Sequence, residues 1–371
     1  MRTFTYDALP SRVVFGPGRR AELPAEVDRL GLEHVMLIAD SNAKSTADEL
    51  AALLGERVAT RWHDVAQHVP TDLADAARAA ANQAGIDGIV TVGGGSTTGL
   101  AKAIALVADA AIVAVPTTYA GSEMTPIYGL TGEHKQTGRD LRVLPRAVLY
   151  DPELTLDLPV AVTAPSAFNA IAHCVEALYG PGANPITSLM AEDGIRAIAT
   201  ALSRAAREPR DLAARSDLLY GAYLAGAALA VVGMALHHKI CHVLGGTFGL
   251  VHGDVNAVML PHVVTYNATG APEAIARVAT ALGAARAAGA LFDLAASVDA
   301  PTSLAELGMP EEGLDLVAER TAAETTFNPT PVDISALRTL LDDAWHGRRP
   351  VATRSPGADE QETPNNGGHH D

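Results

Sequence analysis

Two pairs of polar side chains at helical spacing are the residues best placed to do chemistry. Asn169 and His173 lie four apart in the apolar segment SAFNAIAHCVEAL, and His238 and His242 are again four apart. At i, i+4 each pair projects from one face of a helix. His252 follows the Gly-rich break Leu244-Gly-Gly-Thr-Phe-Gly and is expected on a loop. A single histidine on an apolar helix is usually a satisfied core group, but these histidines at these spacings predict a cleft between helices lined by imidazoles. Such a cleft suits two tasks: holding a transition metal, or giving hydrogen bonds and protons to an oxyanion. Residue type alone leaves both open. His237 and His262 lack this support and are read as structural.

A second set of residues has the character of a nucleotide site. In Gly88-Ile-Val-Thr-Val-Gly-Gly-Gly-Ser-Thr-Thr a strand runs into Gly93, Gly94 and Gly95, and a helix starts at once. Glycines let the backbone approach a pyrophosphate, and a helix N-terminus offers unpaired N–H groups and a favourable dipole. Ser96 is placed to cap that helix or to bond a phosphate oxygen. Lys102, two turns on, is expected to reach back towards a ribose or phosphate. The spacing is not Gly-x-Gly-x-x-Gly, so a plain strand–helix turn is the competing reading. Asp40, at the end of an early strand, is placed to accept hydrogen bonds from an adenosine ribose, which favours NADH, although a turn-capping Asp looks the same. In Val115-Pro-Thr-Thr-Tyr-Ala-Gly-Ser-Glu, the hydroxyls of Thr117, Thr118 and Ser122 are candidates for the diphosphate and nicotinamide.

The elements that must hold these groups change character along the chain. Strands at 34–39, 88–92 and 111–115 alternate with helices at 46–55, 71–84 and 96–108, which implies parallel βαβ units with ligands beyond the strands' carboxyl ends. From residue 158 long Ala/Leu-rich helical segments follow at 163–179, 185–206, 211–232 and 234–245, continuing in the same style to 345. The expected division is an α/β dinucleotide-binding domain over 1–157, an all-α catalytic domain over 158–347, and a disordered Pro/Gly/Asn/acid-rich tail over 348–371.

Composition bounds the class. The 371 residues suffice for two domains, and 48% apolar residues supply their cores. A net charge of −16 argues against a nucleic-acid or anionic-membrane partner. Two cysteines, Cys174 and Cys241, make no disulfide framework and suit a reducing, cytoplasmic setting. The N-terminus lacks a signal-peptide run, and stretches such as 221–236 are too short for a membrane span.

Taken together, the GGGS loop, the PTTYAGSE turn, the N-A-I-A-H helix and the His238…His242…His252-Gly segment ending in VNAVMLPHV resemble the iron-containing alcohol dehydrogenase family. The resemblance runs from Phe15-Gly-Pro-Gly to about Arg348. It implies an N-terminal dinucleotide-binding domain, a helical C-terminal domain and an active site in the cleft between them. It also implies that Gly93–Ser96 hold the pyrophosphate, that Asp40 meets the ribose, and that Thr117, Thr118 and Ser122 surround the cofactor.

Metal-dependent members hold their ion with one Asp and three His, places filled here by Asn169, His173, His238 and His252, while His242 matches a His often given a proton relay. The lost carboxylate, and Gly99 where many members have Asp, resemble the maleylacetate reductase branch, as do PTTYAGSEMTPIYGLT and GRDLRVLPRAVLYDP. That resemblance implies a homodimer that uses NADH, often NADPH as well, with no required metal, to reduce the C=C bond of maleylacetate to 3-oxoadipate in aromatic-ring catabolism. Hydride would add to the alkene carbon β to the ketone, the enolate oxygen would take charge, and the α carbon would need a proton from His242 or His252. Lys239 and Arg139 are candidates to pair with a substrate carboxylate. The alternatives are a metal-dependent dehydrogenase of alcohols or aldehydes, and a lyase resembling dehydroquinate synthase.

Overall fold

Short β-branched runs buried on both faces build the first half of the molecule. The computed structural model describes residues 3–132 and 135–350, without the Lys135 side chain. Eight strands are present among these residues: β1 Arg12–Phe15, β2 Val35–Ala39, β3 Val58–Trp62, β4 Gly88–Gly93, β5 Ala111–Pro116, β6 Ile127–Thr131, β7 Lys135–Arg139 and β8 Ala147–Tyr150. Six form a parallel sheet in the order β1-β8-β5-β4-β2-β3. Along β2, Val35, Leu37 and Ala39 pack to one side with α1 (Leu23–Leu30) and α2 (Lys44–Leu54). Met36 and Ile38 pack to the other with α3 (Thr71–Ala84) and α4 (Gly95–Ala105). Such two-sided burial is what helices on both faces of a parallel sheet require.

The chain reverses direction across this sheet. It steps outward from β2 to β3, then returns past β2 to β4 and continues to β5 and β8. The crevice between the carboxyl ends of β2 and β4 is therefore the topological switch point, where open α/β sheets bind ligands. Asp40 stands on one side of it and Gly93–Gly95 on the other.

An antiparallel β6–β7 hairpin lies apart from the main sheet. The sequence reading did not anticipate it, because KQTGR has no apolar alternation to mark a strand.

The second half is helical: α5 Val160–Ala177, α6 Pro185–Arg207, α7 Leu212–Val232, α8 Leu236–Phe248, α9 His252–Tyr266, α10 Pro272–Ala281, α11 Ala287–Ser297, α12 Leu314–Glu324 and α13 Ile334–Trp345. Two expectations fail here. α8 runs straight through Gly245-Gly246 and ends only at Gly249, whose φ of 69° makes a left-handed cap. His252 opens α9 rather than sitting on a loop. The expected tail lies, from residue 351, outside the described residues.

Among the described residues no single helix is long and apolar enough to cross a membrane, and α7 and α8 pass that test only as a pair bent by 100°.

A fully buried arginine ties the halves together. From α7, Arg215 donates to the Tyr119 hydroxyl (3.1 Å), Thr163 Oγ1 (2.7 Å) and the carbonyls of Leu158 (2.9 Å) and Pro209 (2.8 Å). Removing it strands several buried acceptors at once. Arg215→Met should lower stability by about 3–5 kcal/mol, read as a lower denaturant midpoint at unchanged slope. A midpoint equal to that of the parent would show that these acceptors find other partners.

Candidate active site

One helix, α5, presents four polar groups at spacings of three and four residues, and each reaches a different neighbour. Ser166 Oγ accepts the Tyr119 backbone N–H (3.0 Å). Asn169 Nδ2 donates to the Ala120 carbonyl (3.2 Å). The His173 ring stacks on His238 of α8, centroids 4.6 Å apart. Glu176 accepts His238 Nδ1 (2.7 Å) and backbone N–H groups at the start of α8. Opposite them, Gly121 with φ of 77° brings the 117–122 turn onto α7, where a Cβ added at Gly226 would lie 2.5 Å from the Gly121 carbonyl oxygen. The turn is thus wedged between α5 and α7 by two glycines and two hydrogen bonds.

The histidines form one group. His238 lies 6.4 Å from His242 and 6.5 Å from His252 between ring centroids, and His242 stacks on His252 at 5.8 Å. His252 reaches the group because a Cβ on Gly253 would meet Pro165 at 2.9 Å, so the first turn of α9 lies directly on α5. His237, read as structural, sits 5.0 Å from His238, edge to face, with Nε2 against the Asn256 carbonyl.

Burial sets the electrostatics. Desolvation, with smaller repulsion among the rings, lowers His173 well below the usual range. It lowers His237 and His238 to about 3. These three are neutral at physiological pH, whereas His242 and His252 are only half-buried. Asn169 Oδ1, His173 Nδ1, His237 Nδ1 and His238 Nε2 are buried without a protein partner. Unpaired polar atoms cost free energy, so their concentration here marks a place prepared for a ligand.

At the nucleotide end the expected groups divide. α4 starts at Gly95 behind Gly94, with no side-chain cap from Ser96 or any other residue, so its first N–H groups remain open. Gly93 has φ of 152°, and a Cβ there would lie 2.4 Å from Thr97 Oγ1. The Gly93 carbonyl accepts the Thr117 N–H (3.0 Å), and Thr118 packs against Gly94. Asp40 caps the turn 41–43 through Oδ1, accepting from Asn42 (2.9 Å) and Ala43 (3.0 Å).

Three residues considered as ligand contacts are engaged elsewhere in the structure. Lys102 is fully buried and donates to the Ser122 carbonyl (2.7 Å), Ser122 Oγ (3.2 Å), Thr125 Oγ1 (3.0 Å) and the Ile127 carbonyl (2.8 Å). It pins the 122–127 segment instead of reaching towards a phosphate. Lys239 pairs with Glu324 (3.3 Å), and Arg139 donates to the Ala230 carbonyl (2.6 Å).

Comparison with known proteins accounts for this arrangement. Residues 10–152 match the iron-containing alcohol dehydrogenase model, and residues 163–345 match the C-terminal model of the Fe-containing alcohol dehydrogenase family. The chain belongs to the iron-containing alcohol dehydrogenase family. Within it, the chain is 49% identical to the maleylacetate reductase of Burkholderia cepacia, over 94% of this chain and 100% of that one. The crystal structure of a putative alcohol dehydrogenase from Ralstonia eutropha superposes with a TM-score of 0.92 at 49% identity, covering 95% of this chain and 100% of that one. Maleylacetate reductase from Agrobacterium tumefaciens superposes with a TM-score of 0.91 at 46% identity, covering 94% and 100%.

The expectation that no metal is required is corrected by these findings. The family is iron-containing. Ligand atoms of Glu176, His237 and His238, all buried, also lie within 4.8 Å of one another. Position 169 lacks a carboxylate, but α5 carries an acid, Glu176, seven residues further along. Its signal was present, since Glu176 is i+3 from His173 on a buried helix. The residues fit an ion: neutral imidazoles offer lone pairs to a transition metal, and the unpartnered nitrogens of His173 and His238 would gain a partner.

The Gly121–Gly226 contact is testable. Alanine is intrinsically about 1 kcal/mol better than glycine inside a helix, so any loss in Gly226→Ala reports the collision with the turn. The variant should fold yet bind NAD(P)H more weakly and turn over more slowly. Parent-like kinetics would show that the turn has room to move.

Proposed function

We propose that this chain is an NAD(P)H-dependent oxidoreductase that reduces the carbon–carbon double bond of maleylacetate, giving 3-oxoadipate. The observation that carries the reading is the 49% identity to a maleylacetate reductase over that enzyme's whole length. The site agrees with it chemically. The substrate is a dianion whose alkene is conjugated to a ketone, and the inner wall of the cluster is uncharged, with Asn169 where a ligand carboxylate would stand.

We assign the roles as follows. The open N–H groups at the start of α4 and the Gly93–Gly95 backbone receive the pyrophosphate. Asp40, at the end of β2 beside the switch point, accepts from the ribose hydroxyls. Thr117, Thr118 and Ser122 line the path towards the histidines. Hydride adds to the alkene carbon β to the ketone, and the electron pair moves to the ketone oxygen as an enolate. N–H groups aimed at that oxygen lower the barrier. His242 or His252 then gives a proton to the α carbon and regains it from water, to which both have access. Among the residues that would hold an ion are His173 and His238, and an ion there would act as a Lewis acid towards a substrate oxygen.

The finer organisation we also propose is a dinucleotide-binding domain over 1–157, a catalytic domain over 158–347, and a cytoplasmic homodimer. The two buried free thiols support a reducing compartment, and light scattering checks the dimer.

The deciding assay follows loss of nicotinamide absorbance with freshly prepared maleylacetate and identifies the product by mass. Formation of 3-oxoadipate is expected; turnover of alcohols or aldehydes alone would replace this reading with an alcohol dehydrogenase. His242→Ala or His252→Ala should lower kcat by about 10²–10⁴-fold with little change in NAD(P)H affinity. Unchanged kcat in both, and in His173→Ala and His238→Ala, would remove the cluster from the chemistry.

A further inference from the structure

The assignment above gives Glu176 no task, although its surroundings are unusually specific. It is fully buried on α5, one turn beyond His173. Oε2 accepts the Ala235 N–H (3.0 Å) and His238 Nδ1 (2.7 Å), and Oε1 accepts the N–H groups of His237 (2.8 Å) and His238 (3.4 Å). Three of these donors are backbone groups at the opening of α8, whose N-cap residue, Ala235, has no side chain able to cap it. Glu176 therefore caps α8 from a neighbouring helix.

The consequence for His238 follows from donor and acceptor counting. A backbone N–H only donates, and three of them point at the two oxygens of Glu176 together with the positive end of the α8 dipole, an arrangement that suits a carboxylate accepting at both oxygens better than a carboxyl donating to Nδ1. His238 Nδ1 must then carry the ring proton. In the neutral ring this leaves Nε2 as a bare lone pair, and Nε2 is the atom buried without a protein partner.

We propose that Glu176 is a positioning residue: it fixes the rotamer and tautomer of His238 so that Nε2 meets the cluster as a lone-pair ligand or acceptor, not as a proton donor. A direct ligand role for Glu176 would require it to abandon the start of α8. The inference rests on the assignment of this histidine group as the active site, and it leaves proton donation to His242 and His252.

The test uses the full-length protein with nitrogen-15 in its imidazole rings. The His238 signals are identified by their loss in His238→Gln. In the wild type Nδ1 should be protonated and Nε2 bare at neutral pH. In Glu176→Gln the amide NH₂ donates to Nδ1, so the ring proton should move to Nε2. Affinity for zinc, titrated calorimetrically as the probe ion, should fall about 10–100-fold, while NAD(P)H affinity is retained.

A wild-type ring protonated at Nε2 would overturn the proposal, and that measurement needs no variant to fold. Loss of zinc affinity with an unchanged tautomer would make Glu176 a ligand and overturn it equally. The ring measurement does not depend on turnover. Failure with maleylacetate alongside the expected tautomer would refute the function and leave Glu176 its role, and the converse would refute the role alone.

Discussion

The structure depends on the polar stripe of α5. Ser166, Asn169, His173 and Glu176 recur every three or four residues on a mostly apolar, largely buried helix, and a buried polar group costs about 1–3 kcal/mol if it finds no partner. Each group therefore dictates what must lie beside it. Ser166 and Asn169 hold the turn that follows β5, His173 holds a ring of α8, and Glu176 holds the start of α8 itself. The parallel sheet and the histidine cluster are thus registered against one helix, and the cleft between them inherits its geometry from that register. Arg215 serves the same seam from the far side, where it joins Tyr119 of the turn to Thr163 of α5.

What was legible in the sequence follows from which signals are local. Strands 88–92 and 111–115 and the helices after residue 158 announce themselves by apolar periodicity. The Gly93–Gly95 loop is marked by residues no ordinary strand–helix turn needs in succession. His173 and His238 at i+4 from another polar group pointed correctly to a shared cluster. Contacts made by long side chains were not legible. Lys102 reads as a phosphate ligand because its helix starts at the loop, yet its ammonium turns into the protein, where four oxygens replace its water. Gly245-Gly246 reads as a break because glycine lowers helix propensity, but buried Val243 and Leu244 before the pair and the partly buried Phe248 after it pack into the same core and carry α8 through to Gly249. The β6–β7 hairpin has neither periodicity nor a strong turn and is specified by its neighbours.

The metal question shows the same limit in another form. A ligand set judged by position loses its carboxylate when Asn stands at 169, and the sequence then argues for no ion. Judged in space, a carboxylate is still present, displaced by two helical turns and separated from the cluster's interior by the His238 ring. This places the acid not at position 169 but against Nδ1 of the His238 ring. A dianionic substrate would be repelled by the first position far more than by the second, because Coulomb energy in a low-dielectric interior falls with distance and is cut further by the capped helix N-terminus next to it.

Burial then divides the histidines into two kinds. His173, His237 and His238 are held neutral by desolvation, which makes them poor carriers of charge over the physiological range. A reduction that adds hydride at one carbon must still deliver a proton to the next, and that proton has to come from water in every turnover. Of the rings in the cluster, His242 and His252 alone combine contact with the buried set and partial exposure. His252 owes its place to the first turn of α9 lying on Pro165, and His242 lies one turn beyond His238 on α8, ahead of the paired glycines. The early start of α9, which the sequence does not announce, is what brings the His252 ring to the edge of that neutral interior, where it stacks on His242.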